Sequence, residues 1–173
     1  LLIGGQPEGQ PERYFAKDGS RDVVFIVDGD IVESSEQPVF DWRDKTIAEF
    51  DRLQVTAIRF EREDDNFQVA MGEEGWELPD ERPAKQETIS LMFNAVEFER
   101  VTNIIDNPGS LDGYGLDPSR LRVVFEADGE EMLAFGFGDD TSDGDELYWK
   151  SETETEVKVV SKDVFDRFEV TAE

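Results

Sequence analysis

The chain contains no cysteine and no histidine among its 173 residues. Without thiols there is no disulfide framework, no cysteine nucleophile and no iron–sulfur cluster. Without imidazole there is no Ser-His-Asp triad, no His-ligated haem and none of the usual zinc sites. The lack of cysteine leaves the redox compartment open, because a domain of this size does not need disulfides. Basic residues are also scarce. Seventeen Lys and Arg stand against 43 Asp and Glu, for a formal net charge of −26. Such a surface repels nucleic-acid phosphates and anionic headgroups, so nucleic acid is not expected as a partner. No apolar run approaches the roughly 20 residues needed to span a bilayer.

What is present is enough for a core. Apolar residues make up 38% of the chain, with 13 Phe and 3 Trp, far more than a disordered chain carries. The acids are spread along the whole length rather than gathered in a tail, which reads as a solvated folded surface. The opening Leu1-Leu2-Ile3-Gly4 reads as the inside of a strand. A fragment of a longer protein is therefore expected, with any signal or membrane anchor outside it.

Periodicity places the elements. Leu1 to Gly5 and Arg13 to Lys17 read as strands around a Pro- and Gly-bearing loop, and Asp18-Gly19 as a tight turn. The unbroken run Val23 to Val27 predicts a central strand, and Asp30 an N-cap for a helix from Ile31. In the connector Gln37 to Phe50, the residues Phe40, Trp42, Ile47 and Phe50 are the expected anchors. Val55 to Glu63 alternates with Ile58 and Phe60 toward the core, followed by Phe67, Val69, Met71 and then Trp76 and Leu78, a three-stranded meander. Pro83 to Arg100 predicts a long helix, with Pro83 in its first turn and Ile89, Met92, Phe93 and Val96 on one face. Leu111, Tyr114 and Leu116 pin a turn-rich stretch. A hairpin turns at Asp128-Gly129, two further strands cover 147–150 and 157–160, and Asp163 caps a last short helix. The fold class is α+β: antiparallel hairpins and meanders, one long helix and short capped helices.

The chain also carries internal similarity. Leu1 to Gly4 matches Leu133 to Gly136, Tyr14-Phe15 matches Tyr148-Trp149, Val23 matches Val157, and Asp30 matches Asp163 after a one-residue gap. An internal repeat of a β-β-β-α unit is expected, with residues 1–36 the end of a first unit, 37–54 a connector and 55–173 a complete second unit. A unit that begins midway leaves an open sheet edge.

Three short stretches then occur in order. They are Phe40-Asp41-Trp42-Arg43-Asp44-Lys45-Thr46-Ile47; Gly75-Trp76-Glu77-Leu78 with a Pro and the helix after it; and Tyr114-Gly115-Leu116-Asp117-Pro118 before the hairpin and the Gly-acidic-loop-Tyr-aromatic pattern. Through them the chain resembles a bacterial domain of unknown function, numbered 4340, over nearly its whole length. The resemblance implies an extracytoplasmic, periplasmic protein, anchored to the inner membrane by a helix outside this sequence. It also implies association with ABC-type transport proteins of the gliding-motility kind, and so protein partners. It carries over no catalytic or binding residues.

The residues themselves point to few sites. In the acidic loop Asp139 to Glu146, the residues Asp139, Asp143 and Asp145 are the weak candidates for a metal. Counted as a calcium loop from Asp139, however, the twelfth position is Lys150, where a Glu is needed. Arg120 and Arg122 alternate on one strand and can bind an anion or pair across it with Glu130 and Glu131. Tyr14-Phe15 and Tyr148-Trp149 offer rings for sugar stacking or one core residue each. No carboxylate pair is singled out for hydrolysis. The expectation is a non-catalytic domain without a cofactor, an accessory or scaffold part; the alternative is a surface module binding polysaccharide or a cation.

Overall fold

The turn signals and apolar runs build two separate compact units, Leu1–Asp44 and the chain from Lys45 onward. The computed structural model describes residues 1–171; the last two residues of the expected second unit, 172 and 173, lie outside the described residues.

The first unit is an antiparallel three-stranded sheet followed directly by a helix. Its strands are β1 (Leu2–Ile3), β2 (Arg13–Lys17) and β3 (Val24–Asp28), in that order across the sheet, and its helix is α1 (Gly29–Glu36). The turn after β2 is closed by the Asp18 carboxylate, which accepts the Ser20 N–H at 2.9 Å. Two expectations are corrected here. The run at Val23 to Val27 forms an edge strand, not a central one, and Val24, Phe25 and Ile26 are exposed. Its apolar character is that of a strand covered on both faces, but it pairs with β2 alone in a sheet of three strands. The helix starts at Gly29 with Asp28 in the N-cap position, because the Gly29 N–H is already bonded to the Glu12 carbonyl at 2.7 Å. Asp30 falls in the first turn, where a carboxylate favours the helix N-terminus.

The second unit is built on an eight-stranded antiparallel sheet. Its strands are β4 (Ala57–Glu61), β5 (Asn66–Met71), β6 (Trp76–Glu77), β7 (Asn103–Ile105), β8 (Leu121–Ala127), β9 (Glu130–Asp140), β10 (Glu146–Ser151) and β11 (Val157–Ser161). They lie in the order β6-β5-β4-β8-β9-β10-β11-β7. The helices are α2 (Gln86–Phe98) and α3 (Lys162–Asp166). Both pack on one face, where they share the ring of Phe125. Phe93 of α2 meets it at 5.3 Å between centroids, and Phe168, just after α3, at 6.5 Å. Phe135, Phe137 and Phe165 continue the aromatic layer. The expected meander and the apolar stripe Ile89, Met92, Phe93 and Val96 are in place, and the apolar residues expected at their core are buried except Met71 at the end of β5, which is exposed, and Leu78, which follows β6 and is half-buried.

Local hydrogen bonding moves several boundaries. Pro83 is not in the first turn of α2. It bridges to Glu77, while the Ala84 N–H reaches the Trp76 carbonyl, so this stretch extends the sheet and the helix begins at Gln86. Arg100 does not continue the buried row; its guanidinium donates to the last carbonyls, those of Glu97, Phe98 and Glu99. Asp163 is not the cap of α3, because the Ser161 hydroxyl accepts the Asp163 N–H at 3.2 Å. Trp42 is an exposed residue of the connector rather than an anchor, whereas Ile47 is fully buried. No helix among the described residues is long and apolar enough to cross a membrane.

Candidate functional site

The acidic loop is a closed hairpin between β9 and β10. The Thr141 N–H donates to the Glu146 carbonyl at 2.8 Å, Gly144 takes a φ of 81° that suits glycine, and the Thr141 hydroxyl donates to Asp143. Asp140 is held by Lys162 at 2.8 Å and Arg120 at 3.1 Å, and chiefly the Lys162 bond keeps its carboxyl below the usual range. Lys150 turns away to the carbonyls of Ser151 and Glu154. Asp139, Asp143 and Asp145 share the loop, but among the described residues no group of three or more acidic side chains is arranged to hold a metal ion.

Arg59 and Arg122 belong to an ionic lattice on the sheet face opposite the helices, whereas Arg120, just before β8, lies outside it. Arg59 on β4 donates to Glu61, Glu126 and Glu131 at 2.7, 2.5 and 2.6 Å. Arg122 on β8 reaches Glu61 at 2.9 Å and Glu152 at 2.5 Å, and lies 3.6 Å from Glu131. Its bond to Glu152 lowers that carboxyl's pKa, and the surrounding carboxylates raise that of the guanidinium. Arg120 spans to Asp140 and stacks over Phe165 at 4.4 Å. The expected pairing of Arg122 with Glu131 is its longest contact here; the main partners are Glu61, directly opposite on β4, and Glu152 in the turn after β10. An arginine already saturated with carboxylates offers little to a free anion. Glu126, the one buried acid among the described residues, is taken up by Arg59 and Gln68.

Two concave features of the second unit are open to solvent: a polar one of about 810 Å³ beside Arg120, Arg122 and Glu152, and a groove of about 460 Å³ at the start of α2. Phe60 and Phe67 form part of the groove's floor, their rings stacked at 4.7 Å, with Val69, Ile89 and Met92 beside them. Arg82 and Lys85 stand on its rim, and residues 169–171 close one end. Arg82 is tied to Asp80 at 2.5 Å. The floor arises from alternation on β4 and β5 meeting the α2 stripe where the helix lifts away from the sheet. Sequence periodicity marks each of these floor residues as core, and nothing in it signals that this corner stays open.

The aromatic pairs divide by face. Trp149 is buried, and Tyr148 turns to the other side, edge-on to Tyr114 at 4.8 Å. In the first unit Phe15 is exposed and Tyr14 half-buried.

Comparison with known proteins gives one match. A family described as "Domain of unknown function (DUF4340)" matches residues 1–103. The match takes in the first two stretches noted above and stops short of Tyr114 to Pro118, so it covers less of the chain than the resemblance suggested. No curated protein and no solved structure matches.

Proposed function

We propose that this chain, which belongs to the DUF4340 family, is a non-catalytic extracytoplasmic domain that works by protein contact. In this reading it is an accessory or scaffold part of an ABC-type transport or gliding system. The groove at the start of α2 carries the reading. It is apolar at its floor and open to solvent, and Lys85 stands on its rim on a chain whose net charge is −26. Such a site takes an apolar side chain of a partner polypeptide, with an acidic group beside it meeting Lys85. The ionic lattice supports the same reading, because it leaves the arginines of the sheet committed to internal partners. The alternative, a polysaccharide module, is less well served. The Phe60 and Phe67 rings stack on each other and are buried, so they offer no open face to a sugar.

The test is affinity purification from the source cell of the membrane-anchored protein, with and without Ala84→Trp, which fills the groove. Recovery of ABC permease or ATPase subunits with the parent protein, and their loss with the variant at unchanged melting temperature, is the expected result. Equal recovery with both would remove the groove from the reading. Recovery of no transport component would remove the transport role itself.

A further inference from the structure

The first unit and the end of the second share a backbone plan in detail. In each, an antiparallel pair of strands runs straight into a helix: β2-β3-α1 in one, β10-β11-α3 in the other. The pairing registers coincide at one constant separation along the chain, one residue shorter than that of the sequence matches Tyr14 to Tyr148 and Val23 to Val157, so the pairing sets Phe15 against Tyr148 and Val24 against Val157 instead. Arg13↔Asp28 corresponds to Glu146↔Ser161, Tyr14↔Val27 to Leu147↔Val160, Phe15↔Ile26 to Tyr148↔Val159, and Ala16↔Phe25 to Trp149↔Lys158. The same separation relates the bond that seats each helix, Gly29 N–H to the Glu12 carbonyl at 2.7 Å and Lys162 N–H to the Asp145 carbonyl at 3.0 Å. It also relates the buried residues Ala16 to Trp149 and Val32 to Phe165. A third strand lies on the far side of β2 and of β10 alike, β1 in one case and β9 in the other. Two unrelated hairpins have no reason to agree in register, helix start and seating bond together.

The two modules differ in what covers them. In the second unit β11 is paired on its outer edge by β7, with Ile105, Ile104 and Asn103 opposite Val157, Lys158 and Val159, and β9 is paired by β8. In the first unit the outer edges of β3 and β1 carry no further strand among the described residues. Exposure follows. Val157 and Val159 are 0% and 4% exposed, whereas their counterparts Val24 and Ile26 are 60% and 46% exposed. Aliphatic residues on an unpaired strand edge mark a surface built to be covered.

We propose that the first unit is the end of a first copy of the second unit's fold, and that its open edges are covered by the counterparts of β7 and β8 from that same copy. In the second unit these strands precede β9 in the chain, so the counterparts are polypeptide of the same protein upstream of Leu1. The β7 counterpart pairs antiparallel with β3, centred on Phe25, and places apolar residues opposite Val24 and Phe25. This inference is independent of the groove and of any transport partner.

The chain has no cysteine, so Ile26→Cys introduces its one thiol. Its alkylation rate is compared in the 173-residue chain and in the longer natural protein purified alone, counted against the longer protein without the substitution. Hydrogen exchange of the Val24–Asp28 amides in the unsubstituted proteins provides a readout that does not depend on the variant folding. The expected result is rapid reaction and exchange in the 173-residue chain, and rates slower by about tenfold or more, a protection of about 1.4 kcal/mol or more, in the longer protein as a monomer. Equal rates in both overturn the proposal. So does protection that appears only in a dimer or only with a second protein present, the latter leaving the scaffold reading intact. A natural protein with nothing upstream of Leu1 overturns it outright.

Discussion

At the scale of single residues, charge is managed by giving each strand arginine several carboxylates. Arg59 serves three, and one of them, Glu126, is buried. Arg59→Ala therefore leaves a buried carboxylate without its main partner, and a loss of about 2–3 kcal/mol is expected in urea denaturation, with most of it absent when Glu126→Ala is made as well. Asp140 and Glu152 give a second test, this time in pH. Their carboxyls are held below the usual range by Lys162 and Arg122 respectively. A depressed folded pKa contributes stability that is present above the unfolded value, near about 4, and is lost as pH falls through the folded one. The unfolding midpoint should therefore fall on the acid side of pH 4, and Glu152→Gln should show a shallower fall over that window. The pairs of Arg59 with Glu126 and of Arg122 with Glu61 and Glu152 were not legible in sequence, because they form only where separate strands and the turn after β10 come together.

At the scale of elements, α2 shows both what periodicity delivers and where it stops. Its apolar stripe was legible because positions three and four apart share a helix face. Phe93 meets Phe50, Trp76 and Phe125 there, and Phe93→Ala is expected to cost about 3–5 kcal/mol in chemical denaturation. The ends of α2 were set by neighbours. Pro83 was drawn into a bridge with Glu77, and Arg100 lies over the final carbonyls. Arg100→Ala should cost about 0.3–1 kcal/mol, seen as a small drop in melting temperature. β7 escaped sequence reading because three residues with two adjacent isoleucines carry no alternation to detect; it exists because β11 offers an edge. The groove was equally hidden, since its floor residues Phe60, Phe67, Val69, Ile89 and Met92 are ones that periodicity assigns to the core.

At the scale of the whole molecule, the net charge of −26 opposes compaction through self-repulsion. Screening shortens from about 30 Å at 0.01 M salt to about 10 Å at 0.1 M. The melting temperature should therefore rise with sodium chloride over that range, and a flat or falling response would show that the paired acids dominate. The division into two units makes a further prediction. The chain from Lys45 onward, expressed alone, should unfold cooperatively with its aromatic layer intact in near-ultraviolet circular dichroism, since Phe93, Phe125, Phe135, Phe137 and Phe165 all lie on its own strands and helices.

Composition and pattern by themselves determined the chemistry this protein lacks, its acidic surface, the α+β class, and most strands and the core face of the main helix. Each of these follows from residue type or from a local period of two or nearly four. Only the tertiary structure decided that Val23 to Val27 lies at an edge, that eight strands join in one sheet, that the arginines are saturated and that one corner of the core stays open. Those outcomes depend on which strand comes to lie beside which, and residues far apart in sequence carry no local sign of the neighbour they will meet.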